Sequence, residues 1–284
     1  MPPHERLLAL GSVPPNKLQD ARLQLHYAAQ VLAATCDTAL PHRDDDSHTA
    51  LGWSDAHHAL VTETLPGQLR LGLALSDLII LVIGADDQMT HKIPLNSLAM
   101  GDAIQQLKTI LEPSSPSHYA NGITPRDYDM PPHNIANGAA FSYQHPEPFQ
   151  EVALYFELAY HSLAGVTKHM PGAGPIRVWP HHFDMASLVI LEGDPTAGKS
   201  VGLGFSPGDA NIAQPYFYVL PWPVEKGASL PEAGKRFHWE QKHFVGLVME
   251  ADEVLKLPAK HRVITLIDLL AESFVSARKL VTSP

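Results

Sequence analysis

Residues 112–148 carry seven prolines, and no long helix or central strand can run through such a stretch, because proline lacks the backbone N–H and fixes φ. The same stretch holds Tyr119, Tyr128, Phe141 and Tyr143. Disordered linkers are poor in aromatic residues, so an ordered surface strap is expected over 113–148. It divides the chain into an N-terminal half, 1–112, and a C-terminal half, 149–284.

Each half follows the same plan. In the first, Leu18, Ala21, Leu25, Ala29, Leu32 and Cys36 recur at spacings of three and four, which predicts a helix over 17–39. Cys36 lies on that stripe as a core thiol. Short apolar runs follow, with a turn at Leu65-Pro66-Gly67. Leu69, Leu71, Leu73 and Leu75 alternate as a strand facing a core does, and Leu78–Ile83 reads as a fully buried strand. A second helix is expected over 95–111. In the C-terminal half, a helix is expected from Pro148, a favoured first position, with the stripe Phe149, Val152, Phe156, Ala159, Leu163 and Val166. Strands are expected near 175–192, 199–205, 214–221 and 236–249. A closing helix over 260–281 carries Val263, Ile267, Leu270, Phe274, Ala277 and Val281. The expected fold class is therefore α+β: two similar helix–antiparallel sheet–helix halves, a plan compatible with a duplicated unit.

Charge narrows the partners. The 284 residues sum to a formal net charge of −10 with no Lys/Arg cluster, so the basic surface that nucleic acids require is missing. The longest apolar run is far too short to span a bilayer. The N-terminus resembles neither a signal nor a transit peptide. A single cysteine excludes an internal disulfide, and a reducing, cytoplasmic setting of bacterial type is expected.

Three motifs bear on chemistry. Gly193-Asp-Pro-Thr-Ala-Gly198-Lys199-Ser200 fits the phosphate-loop pattern at every position. That loop works because a helix begins at its Lys-Ser, whereas here Val201-Gly-Leu-Gly-Phe-Ser-Pro-Gly208 follows. A hairpin turn is expected, and nucleotide binding is the remote alternative. Gly202-x-Gly204 reads as turn chemistry. The Trp179-Pro180-His181-His182-Phe183-Asp184 segment supplies metal-ligand residue types. In an extended chain alternate side chains share a face, which groups His182 with Asp184 and, on a later strand, His238 with Glu240. If those strands are neighbours, the four converge. His182 and Asp184 are then the expected catalytic pair, and His182, Asp184, His238 and Glu240 the ligands of a divalent metal such as zinc.

Ser142-Tyr143-x-x-Pro146-Glu147 enters a long helix, and Trp179-x-x-x-Phe183-Asp184-Met185-Ala186 follows a Gly/Pro break. A Gly-Phe-containing strand, the run Tyr216-Phe217-Tyr218 and a closing helix come next. This order resembles a bacterial family of unknown function, in which a Ser-Tyr-x-x-Pro-Glu helix precedes a Trp-x-Ser-Phe-Asp-Leu-Ala strand. The likeness covers about 130–284. His181-His182 stand where the family pattern has small or aromatic residues, and the resemblance implies no activity. Two functions are expected: small-molecule binding, with or without catalysis, near Trp179–Asp184, or a non-catalytic accessory role using the aromatic strap and the Tyr216–Trp222 run as an interface.

Overall fold

The computed structural model describes residues 3–194 and 198–282. Its helices are α1 (Pro3–Arg6), α2 (Gln19–Ala39), α3 (Met100–Leu111), α4 (Pro116–Tyr119), α5 (Pro146–Thr167), α6 (Ala251–Leu255) and α7 (Arg262–Thr282). Strands β1 (Gly52–Ser54), β2 (Ala59–Val61), β3 (Arg70–Ala74), β4 (Ile79–Ile83) and β5 (Met89–Pro94) form one antiparallel sheet in chain order. Strands β6 (Arg177–Trp179), β7 (Asp184–Glu192), β8 (Lys199–Ser206), β9 (Tyr216–Trp222), β10 (His238–Glu240) and β11 (Gly246–Glu250) form a second sheet, in the order β10-β11-β9-β8-β7-β6. The fold class is α+β with two antiparallel sheets, as the patterning predicts. Among the described residues no helix is long and apolar enough to cross a membrane.

The chain forms two compact units, and both cross the boundaries drawn from sequence. The N-terminal unit comprises Lys17–Ala153 with Val178–Phe183, and the C-terminal unit comprises Met1–Asn16, Leu154–Arg177 and Asp184–Pro284. The strap thus belongs to the N-terminal unit, and the first residues of the chain belong to the C-terminal one.

In the N-terminal unit α2 is buried on nearly every side, Cys36 and Leu25 completely. The five-stranded sheet is apolar on both faces. Leu71 pairs with Val82 and Leu73 with Ile80 on one face, while Ala59, Ala74, Leu81 and Ile83 form a cluster on the other. Helix α3 starts at Met100, five residues later than the sequence suggests. Strap residues account for the delay. The N–H of Ser97 donates to Phe141 O, that of Phe141 to Leu98 O, and that of Tyr143 to Asn96 Oδ1, so 95–99 pairs with the strap and cannot coil. The strap aromatics Tyr119 and Phe141 are buried.

In the C-terminal unit, α7 lies against β8, β9 and β11. Phe205 is the centre of its core: Tyr155 stacks on it at 6.1 Å, Phe156 meets it edge-on at 5.4 Å and Phe217 lies at 5.3 Å. Helices α5 and α7 approach closely at Gly165, where an added Cβ would stand 2.2 Å from Ile267 Cδ1. The N-terminal segment is held by Arg6, whose guanidinium donates to both oxygens of the buried Glu157 at 3.2 and 2.6 Å. Glu157 is therefore an interior ion-pair partner.

Leu270, Phe274, Ala277 and Val281 are buried along α7, while Glu272 is exposed. Phe274→Ala is expected to cost about 3–5 kcal/mol of stability, and Glu272→Ala less than about 0.5 kcal/mol. Urea unfolding of both variants checks this; equal losses would place the buried face of α7 elsewhere.

Candidate functional site

The Trp179–Asp184 segment does not continue as one strand. Pro180 to Phe183 form a turn, with the N–H of Phe183 donating to Trp179 O at 2.6 Å and Phe183 at φ 56°. The strand alternation that would put His182 and Asp184 on one face is broken there, because β7 begins only at Asp184. What holds the turn is its carbonyl group. Pro180 O accepts hydrogen bonds from His26 Nε2 at 2.8 Å and Gln30 Nε2 at 2.6 Å, both on α2 and both buried. Phe183 stacks on the His26 ring at 5.3 Å, and Val178 exchanges backbone hydrogen bonds with Leu51. The segment that looks like a chemical site in sequence is first of all an attachment to the N-terminal unit. His182 is exposed, while His181 is half-buried against Trp179 and Tyr128, its Nδ1 buried without a hydrogen-bond partner. Burial, followed by the neighbouring His182, lowers the His181 pKa.

Asp184 serves the face of the six-stranded sheet opposite Phe205 and Phe217. Tyr218 Oη donates a short hydrogen bond to its Oδ2. To reach it, the Tyr218 ring lies across β8 at Gly204, where an added Cβ would come within 2.2 Å of Tyr218 Cζ. Gly202 and Gly204 are thus strand residues, and Gly204 makes room for a ring; they are not turn glycines. Burial, reinforced by the Asp184 charge, drives the Tyr218 pKa well up. The register runs Ala186, Gly204, Tyr218, Val248, His238 in one row across the sheet. His238 and Glu240 do share this face, but β10 is separated from β7 by β8, β9 and β11. Four interstrand steps put β10 roughly 19 Å from β7. The expected convergence of Asp184 with His238 and Glu240 therefore fails, because the two strands lie near opposite ends of the sheet. Glu240 instead accepts the backbone N–H groups of Lys242 and His243 at 2.6 and 3.0 Å, and these bonds lower its pKa.

Among the described residues, one group of three metal-ligand side chains does come together: Asp37, His42 and His48, with ligand atoms within 4.8 Å of one another. Asp37 lies in the last turn of α2, and the two histidines sit in the loop that follows. His48 is completely buried and donates from Nε2 to Asp37 Oδ1 at 3.0 Å, because its Nδ1 accepts the N–H of Arg43 at 3.3 Å. Arg126 of the strap closes the group, donating to Asp37 at 2.5 Å, Asp46 at 2.6 Å and Tyr128 Oη at 3.2 Å. The guanidinium holds the Asp37 carboxyl below its usual range, and the two carboxylates raise the Arg126 pKa. None of these residues stood out in the sequence. Asp37, His42 and His48 fall within one short stretch, which was a usable signal; Arg126 was not, since only the folded strap returns it there.

The C-terminal unit contains a cavity of about 540 Å³, lined by Asn16, Asn211, Gln214, Glu240, Lys242, His243, Glu250 and Asp252 among others. Gln214 is fixed at its wall. Its Nε2 donates to Glu250 through a short bond, and its Oε1 accepts the N–H of Asp252 at 3.2 Å. Glu240 is the one expected site residue that lines this space.

The phosphate-loop match falls on the β7–β8 hairpin. Pro195, Thr196 and Ala197 lie outside the described residues. Lys199 and Ser200 are strand residues paired with Glu192 and Ile190, and Lys199 Nζ stands 3.2 Å from a Glu192 carboxylate oxygen. No helix begins at Lys199, so the dipole and free N–H groups that bind phosphate are missing. The aromatic run is largely interior: Tyr216, Phe217 and Tyr218 are buried, and only Trp222, 59% exposed, faces solvent.

Two predictions follow from this geometry. Burial pulls the His26 pKa from 6.5 down to about 4. A base whose folded pKa is depressed contributes full stability above its unfolded value, and that contribution is lost as pH falls from 6.5 through 4. The loss amounts to about 3 kcal/mol once both states are protonated. His26→Gln, which retains an N–H donor for Pro180 O, should remove that part of the pH dependence; urea unfolding at pH 7 and pH 4 in both proteins measures it. Separately, titration of ATP or GTP with Mg²⁺ should release no heat of specific binding. A micromolar Kd abolished by Lys199→Ala would overturn the hairpin reading.

No family model matches the chain, and no solved structure matches it. A beta-galactosidase from Arthrobacter sp. (strain B7) is 33% identical over 95 residues, covering 32% of this chain and 9% of that enzyme. The likeness thus involves about a tenth of that enzyme's length.

Proposed function

We propose that the protein binds a small, neutral, hydroxyl-rich molecule in the cavity of its C-terminal unit. The observation that carries this reading is the lining of that 540 Å³ space, where three carboxylates and three carboxamides meet one lysine and one histidine. Glu240, Glu250 and Asp252 give a negative balance against Lys242, which repels phosphates and carboxylates. Hydroxyl groups suit the lining, because each can donate to a carboxylate and accept from an amide. The volume falls within the range of small-molecule sites. The stretch shared with a beta-galactosidase points to the same ligand class, and galactose is therefore the first probe. Calorimetry with galactose should show saturable binding that is lost in Gln214→Ala. Galactose 1-phosphate should bind at least about tenfold more weakly, a difference of 1.4 kcal/mol. Absence of heat with galactose, or tighter binding of the phosphate, counts against the proposal.

The divalent metal expected at His182, Asp184, His238 and Glu240 belongs, on this reading, at Asp37, His42 and His48 instead, and zinc suits a set of two imidazoles and one carboxylate. In a tetrahedral zinc site adjacent ligand atoms lie about 3.3 Å apart. His48 Nε2 and Asp37 Oδ1 already stand 3.0 Å apart, and the exposed His42 closes the set by a side-chain rotation. The alternative, an accessory protein docking through an aromatic surface, draws support from Trp222 alone.

A further inference from the structure

We propose that Arg126 and a divalent metal compete for Asp37, so that metal binding loosens the strap around Arg126 from α2; this rests on the reading of Asp37, His42 and His48 as a metal site. Asp37 and Asp46 bring two negative charges to the group, and Arg126 neutralises one of them. Its Nη2 lies 2.5 Å from Asp37 Oδ1 and 3.3 Å from His48 Nε2, the two atoms that a metal would take. A guanidinium and a metal ion at that spacing repel each other. The protein therefore carries its own cation in the site, delivered by a segment 89 residues away in sequence.

Exchange of one cation for the other is feasible because Arg126 keeps a second set of partners. Asp46 accepts its Nη1 at 2.6 Å, and Tyr128 Oη lies 3.2 Å from the same nitrogen. The metal takes His48 Nε2 in the tautomer protonated at Nδ1, which ends the long hydrogen bond from the Arg43 N–H. The loop N–H then turns to water. What is lost from the strap is its one direct tie to α2 through this group, the Arg126–Asp37 bond.

Zinc titrated by calorimetry into the full chain tests the competition. Native protein should bind one zinc. Arg126→Gln should bind it about tenfold more tightly, because a charged hydrogen bond no longer has to be broken first. Arg126→Lys should fall between the two, as a single ammonium group cannot bridge Asp37 and Asp46. Backbone hydrogen exchange across 120–132 should quicken when native protein is loaded with zinc. Native binding that is unchanged in Arg126→Gln, without faster exchange, would overturn the competition and leave the metal site standing. Absence of zinc binding in native protein and in both variants, each folded by circular dichroism, would overturn the metal site and the competition with it.

Discussion

The Pro180 carbonyl, buried and held by two donors from α2, is the contact that fastens residues 178–183 within the N-terminal unit. A buried carbonyl without partners costs about 1–3 kcal/mol, and here His26 and Gln30 satisfy both of its lone pairs. With Phe183 stacked on His26 and Val178 paired to Leu51, this short segment joins the N-terminal unit, although the residues on either side of it belong to the other. Burial lowers the His26 pKa, although the bond to the Pro180 carbonyl works the other way by favouring the protonated ring.

This contact changes how the conspicuous Trp-Pro-His-His-Phe-Asp motif is understood. Its residues are divided among three tasks: Pro180 and Phe183 attach to α2, His181 packs beside Tyr128 and Trp179, and Asp184 accepts from Tyr218 across Gly204. A cluster of ligand-type residues in sequence is thus spent on packing. Polar side chains gather elsewhere, in the loop after α2 and in the cavity around Gln214.

Both of those places are polar, and each balances charge differently. Around Asp37 the acid groups are matched by the Arg126 guanidinium and hydrogen-bonded to His48, so the group is closed on itself. Around Gln214 the carboxylates outnumber the cations, and Gln214 itself fixes two of the backbone and side-chain groups at the wall. A closed ion-pair network admits a ligand only by exchange, whereas an open acidic cavity admits one by filling.

Periodicity alone determined the α2 helix and the α7 stripe from Leu270 to Val281, because apolar residues at spacings of three and four have one way to be buried; nearer the start of α7, Leu266 and Leu269 are buried where Val263 and Ile267 were expected. It also determined the buried pair of strands at Leu71–Leu73 and Ile80–Val82, where alternation fixes the face. The glycines and proline after Ser200 were enough to show that Lys199 opens a strand. Sequence could not order the strands. His238 and Glu240 share a face as alternation requires, yet which strands lie beside theirs is set by long-range pairing, and that pairing put three strands between them and Asp184. The same holds for Arg126, which reaches Asp37 because the folded strap returns to α2, where Tyr27 Oη donates to Pro131 O. Local pattern decides which residues are buried, and tertiary pairing alone decides which of the polar ones meet.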